Sequence, residues 1–385
     1  MESQQSTTNH QPSAYDYLLV GHGIAGAVLG HELRRRGYRV LIYDNPRADA
    51  ASRVAAGLMN PVAGKRFALT WMAHETLPYA LAYYRALGQE LGEAFLQEVP
   101  ILKVFGSAEE QRQLLARAAT ATVPGAPDPW QGFVQAIDPR PIERPGLLAP
   151  LGGVWLQGGG HLRVESLLAA LARQGRAEGW LREETFDWAA LVADDAGGAS
   201  YAPGGVQAAQ VVCCQGAAAL DCPHFGWLPL TPNRGAVLDV AVAGLSGAQV
   251  LNRGAYVVPG LAEGQFRVGA TYRWPPFAPA EALGPGNDDE RELTGRLAAL
   301  TDQPFAVLGE RRGVRPAVRD RRPLLGRHPQ LPWLSLFGGF GSKGVSLAPR
   351  LAALLADHLT DPAAPLWPEA SLARYAHLYT ETPPK

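Results

Sequence analysis

The sequence predicts an α/β fold, in which a Rossmann-like doubly wound domain is joined to a second, α+β domain built on an antiparallel sheet. The first observation is a strand–turn–helix–strand pattern between Tyr17 and Asp44. The second is a set of short apolar or alternating segments from Arg234 to Tyr272, as antiparallel strands require. The third is a glycine-rich turn between a strand and a helix at residues 338–344. At 385 residues, the chain is long enough for two domains.

The first pattern contains a GxGxxG turn, in the segment YLLVGHGIAGAVLG. Gly21 permits the tight turn, Gly23 lets the backbone approach a pyrophosphate, and Gly26 allows the helix to lie close to the strand. The helix N-terminus supplies amides and a positive dipole for phosphates. Asp44 lies 18 residues beyond Gly26, where an acid accepts hydrogen bonds from a ribose. The pattern therefore predicts a dinucleotide site of the FAD/NAD(P) type, formed by Gly21, Gly23, Ile24, Ala25, Gly26 and Asp44.

The composition is that of an ordinary globular protein, with 47% apolar and 18% charged residues. Lys and Arg number 35 against 36 Asp and Glu, so no overall field favours nucleic acid or an anionic membrane. The N-terminus lacks the pattern of a signal peptide, and no run approaches the roughly 18 apolar residues of a membrane span. We expect a disordered tail over residues 1–14, no membrane span and a cytoplasmic location.

The three cysteines predict core packing and no metal site. Cys213 and Cys214 lie in VVCCQG, an apolar segment that is typical of a buried parallel strand and leads into a turn at Gly216. With Cys222 they form neither a CxxC pair nor a metal-ligand spacing.

A single GxGxxG predicts one dinucleotide, which leaves NAD alone or a flavin. The C-terminal turn GGFGSKG favours a flavin, because a helix N-terminus aimed at an isoalloxazine ring stabilises the negative charge of the reduced ring. Lys343 would add a full positive charge. The alternative is a glycine cap in a connector. The cofactor contacts predicted here are Gly339, Gly341, Ser342, Lys343 and Gly344.

Several segments in order carry a family resemblance: VGHGIAG, SRVAAGLMNP, VVCCQG, RGAVLDV, VGATY, GVRP with Asp320 and Pro323, and GGFGSKGVSLAP. Their order resembles the FAD-dependent amino-acid oxidase family, which includes D-amino-acid oxidase, glycine oxidase and sarcosine oxidase. The resemblance spans residues 15–359. The segment GSKGVSLAP is most similar to the oxidase domain of the tRNA-modifying enzyme MnmC, whose methyltransferase half has no counterpart in this sequence.

The resemblance implies FAD as cofactor and a set of site residues. Arg315, in GVRP, would bind a substrate carboxylate, and a planar guanidinium suits a carboxylate bidentately. The alternative for Arg315 is a structural ion pair, which we expect for the other arginines of residues 311–322. Tyr256 and Tyr272 are further candidates for a lid or a carboxylate pocket. The residues implied to line the ribityl and flavin side are Ser52, Arg53, Ala56 and Gly57, and the catalytic set is Arg315, Lys343, Tyr256 and Tyr272.

The implied reaction oxidises the C–N bond of an amino acid or N-substituted glycine, with hydride transfer to flavin N5 and hydrolysis of the imine. One alternative keeps this chemistry and makes the substrate a carboxymethylaminomethyl group on a tRNA wobble uridine, with the arginines of residues 311–322 on phosphates. Another is a catalytically silent nucleotide-binding protein.

The expected division of the chain places the FAD-binding domain in three separate segments and the substrate domain in two. The FAD-binding domain is expected to comprise residues 15–68, 156–226 and 312–360. The substrate domain is expected to comprise residues 69–155 and 227–311, and a C-terminal tail follows over residues 361–385.

Overall fold

The computed structural model describes residues 13–64, 67–121, 130, 132–260, 262–277 and 284–379. Residues 1–12 of the expected N-terminal tail lie outside this part of the chain, and Ser13 already begins the first strand. The strands are β1 Ser13–Val20, β2 Val40–Tyr43, β3 Leu58–Met59, β4 Val62–Ala63, β5 Ala68–Leu69, β6 Leu96–Gln97, β7 Ile101–Val104, β8 Val134–Asp138, β9 Gly153–Leu156, β10 Gly160–Leu162, β11 Leu181–Arg182, β12 Leu191–Ala193, β13 Ala199–Tyr201, β14 Val206–Cys213, β15 Leu230–Val242, β16 Val250–Asn252, β17 Tyr256–Pro259, β18 Gln265–Gly269, β19 Phe305–Val318, β20 Leu324–Arg327 and β21 Leu334–Gly338.

The α-helices of the described residues are α1 Ile24–Arg35, α2 Ala51–Val54, α3 Ala73–Leu91, α4 Ala108–Ala121, α5 Val164–Glu178, α6 Asp288–Ala298 and α7 Gly344–Thr360. Short 3-10 helices span Trp188–Ala190, Pro203–Gly205, Gly216–Asp221 and Leu372–Leu378. None of these helices combines the length and the apolar character that a membrane crossing requires.

The first sheet has a parallel centre, in which β11, β2, β1, β14 and β21 lie side by side. Strand β20 pairs antiparallel with β21, and β13 and β12 extend antiparallel from the start of β14. On one face, Leu19 of β1 shares a core with Val28 of α1 and Leu351 of α7. On the other face, Leu18 packs in a second core with Phe225. The predicted Rossmann-like domain is confirmed.

The second sheet follows the order β19, β15, β18, β17, β16, β7, β9, β8 and is antiparallel except between β16 and β7. Leu238 and Val240 of β15 share a core with Leu293 of α6, so helix α6 covers one face. Successive residues of a strand point to opposite faces, so Gly235 and Val237 of β15 lie on the other face. The predicted antiparallel sheet of the second domain is confirmed.

Hydrogen bonds to main-chain carbonyls join the segment after β2 to the second sheet. The Val314 N–H of β19 donates to the carbonyl of Asp49 at 2.9 Å, and Ala50 forms a parallel bridge with Val314. The Arg267 Nη1 of β18 donates to the carbonyl of Ala55 at 3.4 Å. Helix α2 is therefore held between the strand that precedes it and the second sheet.

The C-terminal residues pack onto the first sheet. Leu372 is buried in the same core as Leu324, and Ser371 forms a parallel bridge with Leu325. Residues 361–379 thus belong to the folded body, although the sequence predicts a tail there. The boundaries proposed for the two domains stay predictions.

Candidate active site

A cavity of about 770 Å³ connects the glycine turn after β1 to the second sheet. At one end it is lined by Asp44 and Trp188, and at the other by Tyr256, Tyr272 and Arg315. The cavity therefore brings together residues that lie up to 325 positions apart in the chain, from Val20 to Val345. The predicted site residues that line it are Gly21, Gly23, Ile24, Ala25, Asp44, Ser52, Arg53, Ala56, Gly57, Gly216, Tyr256, Tyr272, Arg315, Gly341, Ser342 and Gly344.

The glycine turn has the geometry that its spacing predicts. Gly21 has φ +106°, and a Cβ there would lie 2.8 Å from the carbonyl oxygen of Cys214. A Cβ at Gly26 would collide with the carbonyl oxygen of Gly21, so Gly26 lets α1 approach the turn without itself lining the cavity. The Ser52 Oγ accepts a hydrogen bond of 3.0 Å from the Ile24 N–H. The glycines at positions 21 and 23 thus leave the cavity wall at the start of α1 without side chains at these two positions, as an approaching pyrophosphate requires.

Asp44 lies just beyond β2. Within the described residues, one of its carboxylate oxygens accepts a hydrogen bond and the other accepts none. Its Oδ1 accepts a 2.8 Å hydrogen bond from the His22 N–H. Burial raises the pKa of Asp44, although this hydrogen bond and the Arg53 charge act in the opposite direction. Burial, with the nearby Arg53 charge, lowers the pKa of His22 to about 4, so His22 is neutral at pH 7. Asp44 and Arg53 are therefore charged groups suited to hydroxyls and phosphates respectively. The cavity lining also includes the charged residues Arg47, Asp49, Glu184 and Asp221.

The affinity for FAD is expected to fall as the pH is lowered, because the ionised Asp44 is the better acceptor of ribose hydroxyls. Its pKa is raised, so the loss begins at a higher pH than an exposed aspartate would give. We expect Asp44→Asn to weaken binding about 10- to 100-fold and to flatten this dependence. The measurement is titration of the apoprotein with FAD between about pH 7 and about pH 5. Asp195→Asn, at an exposed site, is the control. Equal pH dependence in wild type and Asp44→Asn would contradict the assignment.

Arg315 presents its guanidinium to the cavity. Its Nη1 donates to the Oδ1 of Asn233 at 2.7 Å and to the carbonyl of Thr271 at 3.1 Å, and its guanidinium lies 4.5 Å from the ring centroid of Tyr272. Within the described residues, neither its Nε nor its Nη2 has a hydrogen-bond acceptor, and no carboxylate pairs with it. The two free donor positions can therefore receive an anionic ligand.

Arg311 and Arg312 differ from Arg315 in having carboxylate partners. Arg311 pairs with Asp239 at 2.8 Å and with Glu165 at 2.7 Å. Arg312 pairs with Glu310 at 2.5 Å. Arg311 thus links β19 to β15 and to α5, whereas Arg312 pairs with a residue of its own strand, and both form the structural ion pairs expected of them.

Two tyrosines flank the same end of the cavity. Burial raises the pKa of Tyr256, so its hydroxyl is a hydrogen-bond donor at neutral pH. Tyr272 is 54% exposed and covers the guanidinium of Arg315 from the mouth of the cavity. Tyr256 is thus placed as part of the wall and Tyr272 as part of the entrance.

The C-terminal glycine turn contributes backbone to the cavity, through Gly341, Ser342 and Gly344 at the start of α7. The Lys343 side chain turns elsewhere, since its Nζ donates to the Oγ1 of Thr70 at 3.2 Å. Burial lowers the pKa of its ammonium to about 8. A Cβ at Gly339 would lie 3.0 Å from the Leu324 N, which indicates packing against β20. Neither Gly339 nor Lys343 is among the described residues that line the cavity.

Several residues of the site are not indicated by the amino-acid sequence. Asn233 and Gly235 of β15 contact Arg315, and Phe186 and Trp188 line the nucleotide end. Aromatic residues in such segments are usually core, and nothing local distinguishes Asn233 or Gly235, so the chain contains no signal for them.

Comparison with known proteins agrees with this geometry. The family described as FAD dependent oxidoreductase (DAO) matches residues 16–358. The chain belongs to this family. The oxidoreductase is 28% identical over 366 residues to the glycine oxidase of Geobacillus kaustophilus (strain HTA426), covering 89% of this chain and 92% of that one. It is also 28% identical over 392 residues to the tRNA 5-methylaminomethyl-2-thiouridine biosynthesis bifunctional protein MnmC of Azoarcus sp. (strain BH72). That alignment covers 91% of this chain but only 57% of MnmC.

Solved structures support the same class. The oxidoreductase superimposes on the crystal structure of glycine oxidase from Geobacillus kaustophilus with a TM-score of 0.72 at 26% identity, covering 93% of this chain and 98% of that one. Iminodiacetate oxidase from Chelativorans sp. BNC1 shares the fold, with a TM-score of 0.72 at 21% identity. The predicted family, fold and FAD cofactor are confirmed.

The cavity fits FAD in its chemistry. Its nucleotide end combines a glycine wall at the N-terminus of α1, the Asp44 carboxylate and the Arg53 guanidinium. Its other end combines the N-terminus of α7 with apolar walls such as Val237 and Ala270. An elongated group with hydroxyls, phosphates and a flat apolar ring would be held by these residues.

Proposed function

We propose that this oxidoreductase oxidises the C–N bond of a small amine that carries a carboxylate, namely an amino acid or an N-substituted glycine. The observation that supports this most strongly is Arg315, which lines the cavity and has no carboxylate partner among the residues that the structure describes. A carboxylate bound to its free donors would form a charge-assisted, bidentate pair. The similarity to glycine oxidase over 92% of that enzyme supports the same substrate class.

Bound FAD would supply the acceptor of the substrate hydride. The chain contributes position and electrostatics, since Arg315 fixes the carboxylate and thereby the orientation of the neighbouring Cα–H bond. The protonated hydroxyl of Tyr256 serves as a donor in the wall, and Val237 and Ala270 exclude water beside it. The first amides of α7 have no partner within the helix and stabilise negative charge in the cavity.

A second candidate substrate is the carboxymethylaminomethyl group of a tRNA wobble uridine, which is itself an N-substituted glycine. The observation that favours it is the similarity to MnmC over 91% of this chain. Tyr272 and Trp274 are each 54% exposed, and exposed aromatic rings can stack on unpaired bases. Arg311 and Arg312 are engaged in ion pairs, so phosphate contacts would fall to other cations such as the exposed Arg319.

The test is anaerobic mixing of the FAD-loaded protein with glycine, sarcosine, other N-alkyl glycines and D-amino acids, following the visible absorbance of the flavin. Bleaching by one of these classes, and by none of the matching amines without a carboxylate, is the expected result. Bleaching only by tRNA that carries the modified uridine, with salt-sensitive binding, would select the second candidate. Bleaching by no substrate would favour the catalytically silent alternative.

A further inference from the structure

Gly235 lies beneath the guanidinium of Arg315. A Cβ at position 235 would collide with the Nη1, Nη2 and Cζ atoms of Arg315. Gly235 is buried, and the guanidinium is the end of a flexible side chain, so an added Cβ would displace the guanidinium from this position. The charged group of Arg315 therefore occupies the volume that any other residue at position 235 would fill.

The register of the second sheet produces this contact. Asn233 of β15 lies opposite Arg315 of β19, and Gly235 lies opposite Gly313. Residues two positions apart share a face, so Gly235 is the diagonal neighbour of Arg315. The residue opposite Gly235, Gly313, also lacks a side chain, but a Cβ there would first meet Val54 and Ala51 of α2. At Gly235 the nearest group is the Arg315 guanidinium.

The backbone does not explain the glycine at position 235. Gly235 lies within β15 and is not among the glycines that adopt a positive φ. Glycine weakens the interior of a strand, because it contributes no side chain to packing and loses more conformational freedom on folding. Space for a neighbouring group is the remaining physical reason, and the group that uses the space is Arg315.

We propose that Gly235 is a positioning residue that holds the Arg315 guanidinium against β15 and thereby determines the preference for carboxylate substrates. This inference rests on the proposed function of Arg315. Asn233 holds Nη1 from the side, and Gly235 lets the plane of the guanidinium lie close to the strand. The Nε and Nη2 donors are thereby held at a fixed distance from β15, facing the cavity.

The first test compares Gly235→Ala with Gly309→Ala. Gly309 lies on β19 in the same sheet, and a Cβ there would meet no atom within 4 Å. The measurement is the dissociation constant of acetate, read from the shift in the visible spectrum of bound FAD, with acetamide as the uncharged probe. We expect Gly235→Ala to weaken acetate binding about 10- to 100-fold, to leave acetamide binding unchanged, and to raise KM more than it lowers kcat. We expect Gly309→Ala to match the wild type.

The second test removes the partner. In an Arg315→Ala background the collision is gone, so Gly235→Ala should lower the thermal midpoint less than it does in the wild type. If Gly235→Ala alone does not fold, recovery of folding in the double variant supports the inference. An equal loss in both backgrounds would overturn it.

The roles of Gly235 and Arg315 can be tested separately. Unchanged acetate affinity in FAD-loaded Gly235→Ala, combined with lost affinity in Arg315→Ala, overturns the role of Gly235 alone. Unchanged acetate affinity in Arg315→Ala overturns the proposed function of Arg315 and the inference with it.

Discussion

Replacing Arg315 by alanine is expected to lower kcat/KM for the carboxylate-bearing substrate about 10²- to 10³-fold, because a charge-assisted pair in a partly buried site contributes about 2–5 kcal/mol. FAD content should be unchanged, since the hydrogen bonds of Arg315 within the described part of the chain go to Asn233 and Thr271 at the substrate end of the cavity. Steady-state kinetics, with the ratio of FAD to protein measured in parallel, test the prediction.

Two further variants make this test specific. Arg319→Ala removes an exposed arginine four positions away and should leave kcat/KM unchanged. Arg315→Lys keeps the charge but loses the planar fork, so its kcat/KM should fall between those of the wild type and Arg315→Ala. A substrate that is oxidised at the wild-type rate by Arg315→Ala would show that Arg315 is structural.

Replacing Gly26 by valine is expected to abolish stoichiometric FAD binding. A Cβ at this position would collide with the carbonyl oxygen of Gly21 and lie 3.2 Å from the Cβ of Cys214. Both neighbours are part of the cavity wall, and backbone atoms cannot turn aside as a side chain can. Helix α1 would be pushed away from the turn, and its N-terminal amides would leave the position in which they meet a pyrophosphate.

The ratio of flavin absorbance to protein absorbance after purification measures this loss, which we expect to exceed about tenfold. Gly295→Ala in α6 is the control, because a Cβ there meets no atom within 4 Å, and alanine in a helix interior is favoured over glycine. Full FAD occupancy in a folded Gly26→Val protein would contradict the role assigned to the turn.

The nucleotide end could be predicted from the sequence because its determinants are local. The residues from Gly21 to Asp44 form one continuous strand–turn–helix–strand unit, so the spacing of the motif can be read directly from the chain. Gly26 faces the Gly21 carbonyl within this unit, whereas Gly21 faces Cys214 just after β14 and Gly23 faces Ser52 of α2. A motif of this kind specifies its own conformation, so the chain order alone indicates where the pyrophosphate is to lie.

The substrate end could be predicted only in part, because its contacts are set by strand register. Arg315 could be named from the GVRP segment, but its seat on Asn233 and Gly235 depends on the pairing of β15 with β19, about 80 residues away in the chain. For Lys343, the direction of the side chain could not be predicted from the sequence. Its backbone lies in the turn that reaches the cavity, while its side chain extends to Thr70, a direction that spacing does not encode.

The main-chain link between α2 and β19 determines how ligands enter the cavity. The Asp49 carbonyl and the Val314 N–H tie the two sheets together beside the cavity, with the contact of Arg267 and Ala55 as a second tie. A hinge that swung the domains apart would have to break both. Among the described residues that line the cavity, the exposed ring of Tyr272 can change rotamer without breaking either tie, so exchange of substrate and product past this ring should be faster than domain closure.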